Sequence, residues 1–75
     1  MKPLTAREMA ALLQARGWFE VSQKGSHRKF AHPFDPRLRA ILPVHPGEDL
    51  TPGVQHSIMR AAGITRDEIE NRGRK

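Results

Sequence analysis

The sequence predicts an α+β domain: a helix, three antiparallel strands, a second helix and a short terminal helix. Three observations carry that prediction. Threonines at positions 5, 51 and 65 stand as caps before apolar residues at helical spacing. Two strand-like runs flank Gly25-Ser26, a two-residue hairpin signal. Asp35-Pro36 and Pro46-Gly47 then bracket a third run. Two helices can cover only one face of such a sheet, so the other face is expected to stay open.

Helix one begins with the capping box Thr5-Ala6-Arg7-Glu8, with Leu4 and Met9 placed as its hydrophobic staple. Met9, Leu12 and Leu13 form its apolar stripe, and Gly17 is its stop signal. The strand runs are Trp18–Lys24 and His27–Pro33, joined by a turn of the II′ kind. That turn sets a register in which Lys24 faces His27, Ser22 faces Lys29, and Val21 faces Phe30 as a core pair. Arg39–Val44 is the third strand, and Pro43 assigns it to a sheet edge because proline cannot donate to the ladder. Thr51-Pro52 opens helix two, whose expected buried stripe is Val54, Ile58, Ala61 and Ala62, ended by Gly63. Thr65-Arg66-Asp67-Glu68 is a further capping box, with Ile64 and Ile69 as staple. Residues 1–70 are expected to form one domain and residues 71–75 a flexible basic tail.

With 75 residues the chain is near the lower limit for folding unaided, and it has no cysteine for disulfides or thiolate metal sites. It carries no membrane-span or signal-peptide pattern, which makes the cytoplasm the expected location. The formal net charge is +5. Between positions 22 and 39 stand Lys24, Arg28, Lys29, Arg37 and Arg39 against Asp35 alone, whereas positions 48–70 hold five acids and two arginines. A basic hairpin on an otherwise mixed domain points to a polyanion such as RNA, although a merely solvated surface has the same composition.

The chemistry concentrates in the run Gln23-Lys24-Gly25-Ser26-His27-Arg28-Lys29-Phe30. A second positive charge is disfavoured among existing cations, so an imidazole there can serve as a base. His27 could take the proton of a ribose 2′-hydroxyl as it attacks phosphorus, with Lys24, Arg28 or Lys29 stabilising the phosphoryl charge. From the residues alone, a turn hydrogen bond or an unreactive phosphate contact is the more ordinary account of a lone surface histidine. His32 is expected to be half-buried structure, His45 to reach the open face or cap a turn, and His56 to face solvent. No ligand spacing joins His27, His32 and His45 into a metal site. Trp18 alternates onto the His27 face, where it could stack on a base, but just after a helix-ending glycine it is expected to pack against helix one.

Gly17-Trp18, the Gln-Lys-Gly-Ser-His run at 23–27, Phe30, and His32-Pro33 resemble the HicA family of bacterial toxins. So do Leu42-Pro43-Val44-His45 and the series Gly53, Ser57-Ile58, Ala62-Gly63-Ile64, a resemblance covering about residues 4–69. It implies a double-stranded-RNA-binding-domain-like α-β-β-β-α fold. It further implies an mRNA interferase, an endoribonuclease that needs no metal or cofactor and is neutralised by a HicB-type antitoxin. The family's catalytic histidine falls on His27, with Lys24, Ser26, Arg28 and Lys29 around it as the expected RNA contacts. One departure is Val54, where the family often has threonine; Thr51 already supplies a cap there. The alternative function is a non-catalytic RNA-binding module of the same fold, and a purely protein-binding role ranks last.

Overall fold

The computed structural model describes residues 2–71. Helix α1 (Ala6–Ala15) is followed by strands β1 (Phe19–Lys24), β2 (His27–Ala31) and β3 (Arg39–Pro43), then by helices α2 (Pro52–Ala62) and α3 (Arg66–Glu70). The strands form one antiparallel sheet in the order β1-β2-β3, which is the expected α-β-β-β-α layout. Both β1 and β3 are therefore edges, and Pro43 ends β3 on one of them. No described helix is long and apolar enough to cross a membrane.

The helix starts follow local chemistry. Thr5 Oγ1 accepts from the Glu8 amide at 3.2 Å, and Glu8 Oε1 accepts from the Thr5 amide at 3.0 Å. Leu4 and Met9 are fully buried on either side of that cap. Helix α1 ends in a Schellman turn: Gly17 N–H donates to Gln14 O and Trp18 N–H to Leu13 O, both at 3.0 Å. Gly17 has φ +88, and a β-carbon there would come within 3.2 Å of Pro33 Cγ, so two constraints favour glycine. The same turn folds Trp18 back onto Leu13, and both are buried.

The core lies between the helices and one sheet face. Phe30, Ala40 and Leu42 supply the sheet side, while Met9, Ala10, Leu13, Ile58, Met59, Ile64 and Ile69 supply the helix side. Burying side chains such as Phe30 or Leu42 contributes roughly 1.5–3 kcal/mol each. Gln55 is the one buried polar residue among those described. It accepts from Leu4 N–H and donates to Lys2 O, each at 2.9 Å, and so ties the first residues to α2.

Several expectations need correction. The Val21–Phe30 core pair does not form, because the ladder carries an irregularity between Glu20 and Ser22. Glu20 stands opposite Phe30, and Val21 is the extra residue of a bulge, 46% exposed. Ala61 is exposed, and Gln55 and Met59 take the buried places in α2 beside Ile58, because the helix leans its Gln55–Ile58–Met59 side on the core. At α3 only half of the capping box forms: Thr65 Oγ1 accepts from Glu68 N–H, but the Glu68 carboxylate pairs with Arg16. Strands β1, β2 and β3 are each shorter than the runs that announced them. Asn71 caps α3, and the rest of the expected tail lies outside the described residues.

Candidate functional site

The site begins with a turn. Gly25 has φ +58 while, among the described residues, no non-glycine residue has positive φ, which is the II′ pattern with glycine first. Nothing lies within 4 Å of a β-carbon built on Gly25, so the requirement there is conformational. The turn fixes Lys24 opposite His27 and Ser22 opposite Lys29, as the register predicted. On its other side β2 sets His27 opposite Pro43, Lys29 opposite Ile41 and Ala31 opposite Arg39. Val44 N–H donates to Ser26 O at 2.6 Å, which ties the exposed turn to the end of β3.

These pairings build three rows on the face that no helix covers. The first row is Lys24, His27 and Pro43; the second is Ser22, Lys29 and Ile41; the third is Phe19, Ala31 and Arg39. Ser22, Lys24, His27, Lys29 and Ile41 line an open hollow of about 400 Å³. The His27 ring is exposed there. Among the described residues, neither Lys24 nor Lys29 has an ion-pair partner. The hollow thus presents an accessible imidazole beside two uncommitted ammonium groups. Such a set suits a phosphodiester, whose oxygens the lysines can hold while the imidazole exchanges a proton.

Arg28 is not brought to this face. It follows the parity of Phe30 and lies 5.2 Å over that ring. Its Nη2 and Nε donate to the two Glu20 carboxylate oxygens at 2.8 and 3.2 Å. The hydrogen-bonded guanidinium holds the Glu20 carboxyl below its usual range, and Glu20 in turn raises Arg28. Arg28 is therefore engaged in fastening β1 to β2 rather than available beside His27.

The remaining histidines do not join His27. His32 is half-buried, accepts at Nδ1 from the Phe34 and Asp35 amides at 3.0 Å each, and meets Trp18 edge-on at 5.2 Å between centroids. His45 and His56 are exposed. No three histidines, cysteines or carboxylates gather into a metal cluster among the described residues.

Sequence reasoning missed Phe19 and Ile41, which are 50% and 53% exposed on the open face. Ile41 faces outward by its regular pairing with Lys29, whereas for Phe19 the bulge in β1 is the reason. Without it Trp18 would share the parity of Ser22 and Lys24; the extra residue sends Trp18 inward to the core and Phe19 outward. A signal was present, since a tryptophan held by the helix stop and an outward Ser22 cannot both fit strict alternation.

A family model described as the HicA toxin of bacterial toxin-antitoxin matches residues 6–64. This span holds all three strands, the Gly25-Ser26 turn and His27. Among curated proteins, none matches the chain.

Proposed function

The chain belongs to the HicA family of bacterial toxin–antitoxin toxins, and from that premise we propose that it is an endoribonuclease that cleaves mRNA until a HicB-type antitoxin neutralises it. The observation that carries this reading is the exposed His27 in a hollow shared with Lys24 and Lys29. His27 takes the proton of a ribose 2′-hydroxyl as that oxygen bonds to the adjacent phosphorus. The bond from phosphorus to the 5′-oxygen breaks, and the imidazolium returns the proton to the departing oxygen. The products are a 2′,3′-cyclic phosphate and a 5′-hydroxyl end. Lys24 and Lys29 hold the phosphoryl oxygens as charge builds, with Ser26 in the turn beside them. Imidazole and ammonium groups carry every step, so the reaction proceeds without a metal. An antitoxin seated over the open face neutralises the toxin by covering His27.

The test pairs growth with chemistry. Wild-type protein arrests growth on expression and cuts RNA in EDTA, whereas His27→Ala loses the arrest and slows cleavage by roughly 100-fold or more. Replacing an exposed side chain leaves the melting temperature nearly unchanged. An equally toxic His27→Ala protein overturns the assignment. RNA binding with a steep salt dependence but no cleavage by wild type supports the non-catalytic alternative instead.

A further inference from the structure

The third row of the open face has no part in the chemistry assigned to His27. Phe19 stands beside Ala31, with Arg39 on the far side of it. Ala31 is only 4% exposed and is not part of the helix-side core, whereas Phe19 leaves half of its surface to solvent. Rows on one strand face lie ~7 Å apart, which sets this row about 13 Å from His27 along the strands. A few extended nucleotides bridge that span. Arg39 donates to the carbonyls of Pro36 and Leu38, which anchors its guanidinium at this end of the face. Among the described residues it has no carboxylate partner.

We propose that the open sheet face is a track for single-stranded RNA, on which Phe19 stacks one unpaired base while Lys29 and Arg39 hold neighbouring phosphates. This rests on the ribonuclease reading and specifies its substrate as unpaired RNA. Charge is the first argument: no outward register position on the three strands carries an acid, and three carry cations, namely Lys24, Lys29 and Arg39. Chemistry is the second. An aromatic face can stack only on a base freed from its helix, whereas a duplex offers backbone and groove edges. Shape is the third, since two strand spacings of ~4.8 Å give a face suited to one extended strand. Ile41, exposed between the His27 and Arg39 rows, supplies an apolar contact along the path.

Binding is measured in a His27→Ala background, so that RNA stays intact, using an unstructured 12-nucleotide RNA and its duplex by fluorescence anisotropy. The single strand binds more tightly than the duplex. Adding Phe19→Ala weakens single-strand binding by roughly 5- to 100-fold, and Phe19→Trp restores it. Lys29→Ala instead reduces the slope of log affinity against log salt by ~0.7, and Phe19→Ala leaves that slope unchanged. Phe19 is half exposed, and circular dichroism confirms that each variant is folded. Equal or tighter duplex binding overturns the track. Unchanged RNA affinity in Phe19→Ala also overturns it and assigns this face to a protein partner. The two readings fail separately: binding that needs Phe19 without cleavage by wild type removes the ribonuclease and keeps the track. Cleavage that ignores Phe19 does the reverse.

Discussion

Two adjacent residues of the hairpin, His27 and Arg28, belong to opposite sides of the sheet and to different tasks. Alternation alone dictates this, since consecutive strand residues point to opposite faces. His27 stands in the open hollow, while Arg28 covers Phe30 and grips Glu20. A cluster of cations in sequence is therefore not a cluster in space: of Lys24, Arg28 and Lys29, only the two lysines share the imidazole's face. Substitutions should separate these roles. In Arg28→Ala the Phe30 ring loses its cover and β1 loses a fastening, so the melting temperature is expected to fall by about 4–8 °C. RNA affinity at a temperature where the protein stays folded is expected to hold within about twofold. A scanning calorimetry trace beside an anisotropy titration decides the matter. Loss of RNA binding with no thermal shift would place Arg28 in the interface.

At the scale of elements, β1 is the part of the sheet with the least to hold it. None of its six residues is buried, and it carries the bulge at Val21. Its attachment rests on the ladder to β2 and on the Glu20–Arg28 pair. Bulges bend a strand and re-aim its side chains. Here the consequence is that Trp18 joins the core while Ser22, Lys24 and Phe19 face outward. The pH response of this element follows from Glu20. Its carboxyl lies below its ordinary range in the folded protein, so the pairing stabilises at pH values above the ordinary glutamate value of ~4.3. That contribution is lost as pH falls through the depressed folded value. Asp35, lowered by its hydrogen bonds to Arg37, acts in the same direction in the β2–β3 loop. The melting temperature is expected to fall as acidity rises from pH 5 to pH 3, and Glu20→Gln should flatten part of that fall. A Glu20→Gln curve parallel to wild type across the interval would refute the linkage.

The molecule as a whole shows which features a single sequence can declare. Helix starts were legible because caps are local: Thr5, Thr51 and Thr65 each accept the amide three residues on. The hairpin register was legible because Gly25-Ser26 fixes it from within two residues, and it put His27 opposite Lys24 correctly. What failed was non-local. The bulge answers to the competing demands of the Trp18 anchor and the outward hairpin, and Glu68 leaves its cap for Arg16, 52 positions away. Gln55 is the same kind of residue. In the sequence it is one more polar position on a helix, yet it is only 2% exposed and its amide spans |i−j| = 51 and 53 to Leu4 and Lys2. In a domain this small, total stability is of the order of 5–15 kcal/mol. Removing the Gln55 amide leaves the Leu4 N–H and the Lys2 carbonyl without their partner, at about 1–3 kcal/mol for each group that stays buried. Gln55→Ala is therefore expected to lower unfolding free energy in urea by ~2–4 kcal/mol. The open face is built from β1, β2 and β3, whereas the Gln55 amide bonds to Leu4 and Lys2, so cleavage per folded molecule should be unchanged in the cold. On warming, toxicity should disappear well before that of wild type. A Gln55→Ala protein as stable as wild type would show that the first residues need no tie to α2.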